Sequence, residues 1–278
     1  MQTLTIPTPT FEFAGKFPLV TAKIDGERKS FLLDNGVPTL VLNSIYDNGE
    51  STPAQVFTAS GEQQNIQTKF ITSFEWGDLR QENQLALIMD LSRYEKDANT
   101  TIHGIIGGAV LMNQDLLLNY PKKQAGLISL PDNPPHLMDT VAPGMIGEYK
   151  TIPFQMAHHL PIVPLKIGEK VLNMALYMGV CVNILNEAHR EYIQQLGALT
   201  GETPAKLLGL TTEKQLTAYA LPSAIVSPHE NISMPFMKFA FDNIEIPGAN
   251  IDGMLGYELF SKMATIIRFN GRELLLGN

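Results

Sequence analysis

The sequence predicts a mainly β protein built from two homologous lobes. Residues 17–43 align without a gap with residues 160–186, at a constant offset of 143 residues. A second pair of segments, residues 103–107 and 252–256, precedes an apolar run in each half. The first alignment has nine identical pairs: Pro18/Pro161, Val20/Val163, Lys23/Lys166, Ile24/Ile167, Leu33/Leu176, Gly36/Gly179, Val37/Val180, Leu42/Leu185 and Asn43/Asn186. A duplicated unit is the simplest explanation.

Short segments rich in β-branched and aromatic residues, bounded by Gly, Asn, Asp or Pro, predict the strands. In the first half these segments are residues 20–24, 30–33, 39–42, 68–74, 84–89 and 116–119. In the second half they are residues 162–167, 173–176, 182–185, 236–241 and 265–269. Helices are predicted only at residues 187–196, 109–112 and 259–263. The proline- and glycine-bearing residues 131–151 break both periodicities, which predicts a linker between a lobe of residues 1–130 and a lobe of residues 152–278.

Two motifs in these halves are similar to those of a known family. The segments Leu32-Leu33-Asp34-Asn35-Gly36-Val37 and Gly253-Met254-Leu255-Gly256-Tyr257-Glu258-Leu259 resemble motifs of aspartic proteases, in particular the bacterial retropepsin-like families. The resemblance extends over about residues 11–130 and 152–278. It implies a bilobal, pepsin-like acid-protease fold of two β-barrel-like lobes related by a pseudo-twofold axis. It also implies that Asp34 and Tyr177 lie next to each other across that axis.

The two central loops that the resemblance identifies are Asp34-Asn35-Gly36 and Tyr177-Met178-Gly179. In the family each loop supplies one aspartate, and two close carboxylates share a proton, so that one acts as base and the other as acid. Here Tyr177 stands where the second aspartate is expected, and a phenol with a pKa near 10 accepts protons poorly at neutral or acid pH. Asn35 and Met178 replace the threonines that hydrogen-bond across the family's loops. We therefore expect the loops to be held by packing, with Met178 buried.

These departures leave two hypotheses for the function. The first is a catalytically impaired pseudopeptidase that binds an extended peptide or partner segment in the interlobe cleft by strand-like pairing. The second is an active aspartic endopeptidase that uses Asp34 and an unconventional second group. A homodimer that brings two copies of Asp34 together is disfavoured, because each chain supplies its own second lobe. The missing carboxylate favours the first hypothesis.

Each lobe of the family carries a flap, a hairpin that closes over the cleft. In the first half the candidate is residues 55–69, with its turn near Ser60 and Gly61. In the second half it is residues 207–219, with its turn near residues 211–214. Both segments are also compatible with ordinary hairpins.

Five other residues have side chains that could take part in chemistry. His158 and His159 are adjacent, so on a strand their side chains point to opposite faces, which disfavours a shared metal ion. His103 and Asp252 occupy equivalent places before the apolar-apolar-Gly segments, where they either hydrogen-bond the loop below the cleft or are simply structural. Cys181 is the single cysteine, and we expect a buried, inert thiol.

The composition limits the partners. A net charge of −8 and a pI of about 5.3 argue against nucleic acid or an anionic membrane as the main partner. No apolar run approaches the roughly 18 residues of a membrane span. The N-terminal residues lack the basic and apolar regions of a signal peptide, which leaves either the cytoplasm or export after removal of a signal. We expect a monomer with no cofactor and no metal, whose partner is a peptide or protein segment.

Overall fold

The computed structural model describes residues 11–47, 52–57, 63–128, 150–197, 199–208, 213–226 and 232–277. Within these ranges the chain is mainly β, as the sequence predicts, and the helices are short. The α-helices are α1 (Ser92–Ala98), α2 (Gly108–Leu111), α3 (Arg190–Gln195) and α4 (Tyr257–Phe260). A 3-10 turn, Glu187–His189, leads into α3. The helix predicted at residues 187–196 is therefore confirmed as this 3-10 turn followed by α3.

The first half forms an eight-stranded sheet. Its strands are β1 (Glu12–Ala14), β2 (Phe17–Ile24), β3 (Glu27–Leu33), β4 (Leu40–Asn43), β5 (Thr52–Phe57), β6 (Gln63–Trp76), β7 (Leu79–Met89) and β8 (Gly104–Ile106). The strand order is β1-β2-β3-β8-β4-β7-β6-β5, and β2 also pairs with β6. That additional pairing curls the sheet back on itself into a barrel-like shape.

The second half forms another eight-stranded sheet with the same order of corresponding strands. The strand β11 (Lys150–Pro153) comes first in the chain and belongs to the third sheet described below. The eight strands of the second sheet are β12 (Gln155–Ala157), β13 (Leu160–Ile167), β14 (Lys170–Leu176), β15 (Asn183–Asn186), β16 (Thr200–Leu208), β17 (Glu213–Val226), β18 (Ile232–Asp242) and β19 (Gly253–Leu255). The order in the sheet is β12-β13-β14-β19-β15-β18-β17-β16, and β13 also pairs with β17. Each strand of this sheet thus corresponds to the strand of the first sheet whose number is lower by eleven, as β13 corresponds to β2.

A third sheet combines strands from both halves. It contains β9 (Asp115–Asn119), β10 (Gln124–Ile128), β20 (Ala264–Arg268) and β21 (Glu273–Gly277) in the order β10-β9-β20-β21-β11. At its centre β9 and β20 pair antiparallel, with Leu117 opposite Ile266. Both residues are almost completely buried. The halves are therefore joined by a continuous ladder of backbone hydrogen bonds.

The predicted linker needs one correction. Residues 150–151 belong to β11, which pairs with β21, because Ile152 supplies an apolar side chain to the core of the third sheet. Residues 131–149 of the predicted linker lie outside the described residues. Each predicted strand overlaps a strand of the structure, and the short helices α2 and α4 overlap the helices predicted at residues 109–112 and 259–263.

Candidate functional site

The first central loop begins where β3 ends in the middle of its sheet. Leu33 lies opposite Ile106 of the parallel strand β8, and the Asp34 amide continues this pairing by donating to the Ile106 carbonyl at 3.1 Å. The Val37 amide then donates to the Asp34 carbonyl at 3.3 Å. The Gly36 amide donates to Asp34 Oδ1 at 2.8 Å, so the carboxylate is held over its own loop.

The second central loop repeats this backbone arrangement after β14. Leu176 lies opposite Leu255 of the parallel strand β19, and the Tyr177 amide donates to the Leu255 carbonyl at 2.8 Å. The Val180 amide donates to the Tyr177 carbonyl at 3.4 Å. Tyr177 therefore occupies in the second sheet the position that Asp34 occupies in the first.

The two loops interlock through their glycines. A β-carbon added to Gly36 would overlap the ring and hydroxyl of Tyr177. A β-carbon added to Gly179 would overlap the carboxylate of Asp34. Each of the two aligned side chains thus packs on the glycine of the opposite loop, and the structure brings Asp34 and Tyr177 together, as the sequence predicts.

Asn35 joins the loops by two hydrogen bonds, which corrects the expectation that packing alone holds them. Its Nδ2 donates to the Leu176 carbonyl at 2.8 Å, and its Oδ1 accepts from the Met178 amide at 2.8 Å. Asn35 is completely buried, and Met178 is 1% exposed, which confirms the predicted burial of the methionine. One amide side chain supplies both a donor and an acceptor, so it connects the two loops, and Met178 packs in the hydrophobic core.

Asp34 is a buried carboxylate, and among the described residues no second carboxylate interacts with it. Burial raises its pKa from 3.8 to about 6, and hydrogen bonds from the Gly36 and Gly179 amides offset part of that effect. In the described part of the chain no Lys, Arg or His forms an ion pair with it, and only 5% of the residue is exposed. The group is therefore half ionised near pH 6.

Tyr177 is a buried phenol beside Asp34. Burial raises its pKa well above 10, and the charge of Asp34 and the neighbouring Tyr94 raise it further. Tyr94 lies on α1, packs edge-on against Phe17, and is itself buried. Both phenols therefore stay protonated across the physiological range, and neither can take a proton from a water molecule.

Two side chains that the sequence analysis did not connect to the loops reach them from the opposite half. His159, on the turn before β13, lies with Nε2 3.2 Å from the Gly36 carbonyl, and burial lowers its pKa. Lys16, on the turn before β2, donates to the Cys181 carbonyl at 3.0 Å and lies over the ring of Tyr257. Lys16 and His159 occupy equivalent positions in the repeat, and this equivalence could have indicated that both contact the opposite half.

The remaining candidate residues have local partners. His158 is exposed and lies 2.7 Å from the Pro247 carbonyl, so the two adjacent histidines have separate partners. Nδ1 of His103 contacts the Ser30 hydroxyl at 2.9 Å, and Asp252 accepts from the Asn173 amide at 2.8 Å. His103 and Asp252 therefore brace equivalent strands. Among the described residues no group of three or more His, Cys, Asp or Glu is arranged to hold a metal ion.

The candidate flaps are hairpins. Strands β5 and β6 pair antiparallel from Thr52–Thr68 to Phe57–Gln63, and β16 and β17 end with Leu208 opposite Glu213. Ser60 and Gly61, and residues 211–212 of the second predicted turn, lie outside the described residues. The hairpins themselves are thus confirmed, and their role as flaps stays a prediction.

A cavity of about 250 Å³ lies between the halves, and we call it the interface cavity. Its walls include Lys16 and Asp97 from the first half, and Cys181, residues 203–206, Lys238 and Glu258 from the second. Burial raises the pKa of the Cys181 thiol to about 11, so the thiol stays protonated and a poor nucleophile. Lys206 bridges the halves by pairing with Asp97 at 2.7 Å.

In the described ranges no helix combines the length and apolar character required to cross a bilayer.

Comparisons with known proteins add no assignment. Neither the models of known protein families nor the sequences of curated proteins give a significant match to this chain.

Proposed function

We propose that this chain has an aspartic-protease-like, pepsin-like bilobal fold that arose by internal duplication, and that it is a pseudopeptidase. Its catalytic centre is lost, and its interlobe cleft binds an extended peptide or partner segment. The observation that best supports the loss of catalysis is the packing of the Tyr177 ring on Gly36. The ring lies beside Asp34, where aspartic-protease chemistry requires a second carboxylate.

The strand order supports the duplication and the pseudo-twofold. Both eight-stranded sheets have the same order of corresponding strands, including the additional pairing that curls each sheet. The third sheet places β9 beside β20, the corresponding strands of the two halves. Such a combination is the expected result when two copies of one unit pack about an axis that passes between them.

The geometry of the central loops supports the loss of catalysis. Aspartic-type hydrolysis needs one carboxylate to deprotonate a water molecule while the other donates a proton. Asp34 is the single carboxylate of the two loops, and the phenol beside it has a pKa far too high for either task. Removing one member of a catalytic unit commonly costs nearly as much as removing the whole unit.

The interface cavity supports the binding role. Thr203 and Lys206 belong to β16, which stands at the end of the strand order, so one edge of this strand is not covered by a neighbour within the described sheet. An extended segment can add to such an edge through backbone hydrogen bonds. The cavity beside the edge then receives a side chain of the bound segment.

One observation favours the alternative of an active endopeptidase. A carboxylate with a pKa of about 6 is well suited to act as a general base close to neutral pH. In this alternative Asp34 alone activates water, and the second group comes from another part of the cleft. Replacement of Asp34 by Asn distinguishes the two functions, since it abolishes cleavage in the alternative and leaves peptide binding intact in the proposal.

The binding proposal is tested with a library of extended peptides and a variant that narrows the cavity. We expect the unmodified protein to retain a subset of the library and Ala205→Arg to retain less of it. The matched control is Val171→Arg, which adds the same charge at an exposed position outside the cavity lining. Equal retention by all three proteins, or no retention by the unmodified protein, would contradict the binding role.

A further inference from the structure

The interface cavity carries more positive charge than an acidic protein would be expected to place there. Lys16, Lys206 and Lys238 line it, against the carboxylates of Asp97 and Glu258. The whole chain has a net charge of −8, so this concentration of lysines runs against its average. A local excess of one sign in a recess attracts ligands of the opposite sign.

The lysines of the interface cavity differ in how far they are already neutralised. Lys206 pairs with Asp97 at 2.7 Å and with Glu213 at 3.4 Å. In the described part of the chain, the partners of Lys16 are a backbone carbonyl and an aromatic ring. Lys238, on β18, is partly buried and has no carboxylate within ion-pair distance among the described residues. An ammonium group held partly out of water without a counter-charge is ready to accept one from a ligand.

We propose that the interface cavity is a carboxylate-binding subsite, in which Lys238 and Lys16 receive the carboxylate of a bound peptide. This inference rests on the proposed peptide-binding function and specifies its ligand. The volume of about 250 Å³ lies below the roughly 300–1,000 Å³ typical of sites for drug-sized ligands, which suits a single side chain or a chain end. The edge of β16 holds the backbone next to it.

Glu258 sets a second condition on the ligand. It lines the same cavity on α4 and forms no ion pair among the described residues. Like charges in a partly desolvated recess repel, so a segment with several adjacent carboxylates binds less well than a segment with one. The subsite therefore selects an isolated carboxylate in an otherwise uncharged segment.

The test uses three pools of six-residue peptides with five randomised uncharged positions. The first pool has one Glu and blocked ends, the second has Gln in place of Glu and blocked ends, and the third has Gln and a free C-terminal carboxylate. Peptides retained by the purified protein are measured by mass spectrometry at low and high salt. We expect at least about tenfold stronger retention of the first or third pool than of the second, with the difference reduced at high salt. The better of these two pools identifies the source of the carboxylate.

Paired variants separate this inference from the function on which it rests. Lys238→Gln is expected to weaken retention of the carboxylate pool about tenfold and leave the neutral pool unchanged, and Glu258→Gln is expected to strengthen the carboxylate pool. Lys170→Gln, at an exposed residue outside the cavity lining, is the control with the same charge change. Equal retention of all pools, unaffected by either cavity variant, overturns the subsite while peptide binding stands. No retention of any pool overturns both proposals.

Discussion

Replacing Asp34 by Asn is expected to change how the stability of the protein depends on pH. Burial raises the Asp34 pKa in the folded state from 3.8 to about 6. The folded protein therefore holds the proton more tightly than the unfolded chain does. The stabilising contribution of this group is complete below pH 4 and is lost as the pH rises through about 6. A shift of roughly two units, at about 1.36 kcal/mol each, gives a loss of about 3 kcal/mol between these limits.

Urea unfolding of the unmodified protein and Asp34→Asn between pH 4 and pH 8 measures this effect. The asparagine has no charge to desolvate, so the free energy of unfolding of the variant relative to the unmodified protein should rise by about 3 kcal/mol across the range. A hydrogen bond lost with the Gly179 amide adds a constant that does not alter this change.

The matched control is Asp90→Asn on the surface. Hydrogen bonds from Ser92 lower the pKa of Asp90, so its contribution is present above the unfolded value and is lost as the pH falls. That loss lies below the ordinary Asp pKa of 3.8, so the stability difference for Asp90→Asn should stay nearly constant from pH 4 to pH 8, whereas the difference for Asp34→Asn should change. A stability difference for Asp34→Asn that stays constant from pH 4 to pH 8 would refute the account of a buried, unpaired carboxylate.

The central loops give further predictions, each measured by urea unfolding at pH 7. Gly36→Ala and Gly179→Ala should each destabilise the protein by about 1–3 kcal/mol, because the added methyl group overlaps the opposite loop. The control Gly271→Ala should have little effect, because a methyl group there would make only ordinary van der Waals contacts. A tolerated alanine at both loop positions would show that the loops do not interlock. Asn35→Ala should cost about 2–4 kcal/mol, because it leaves a carbonyl and an amide of the opposite loop buried without partners. A loss below about 1 kcal/mol would indicate that packing alone holds the loops.

The strands of the two halves could be predicted because their apolar residues follow local patterns. Strands such as β2 and β13 carry the repeat and end at recognisable turns. The strands that escaped prediction include β8 and β19, which have three residues each, too few for a periodicity. They form because each fills the space between two strands that lie far away in sequence. Such pairings depend on tertiary contacts, which a local pattern does not contain.

At the candidate site the positions of the loops could be predicted, and their connections could not. The repeat identified Asp34 and Tyr177 as equivalent, and the structure brings them together. The hydrogen bonds of Asn35 across the loops were not predicted, because the loss of the threonine hydroxyl at this position suggested that no side chain would connect the loops. An asparagine has both a donor and an acceptor on one short side chain, so it can bridge two backbone groups alone. The reach of His159 and Lys16 across the halves required the relative placement of the sheets.

The central claim, that the centre around Asp34 is not catalytic, is tested most directly by a cleavage assay. The purified protein and Asp34→Asn are incubated with a broad peptide library from pH 3 to pH 8, and the products are identified by mass spectrometry. We predict no aspartic-type cleavage, no bell-shaped dependence on acid pH, and identical product lists for the two proteins, because no second carboxylate of the described residues shares a proton with Asp34. Cleavage by the unmodified protein that Asp34→Asn abolishes would contradict the account and establish the active endopeptidase instead.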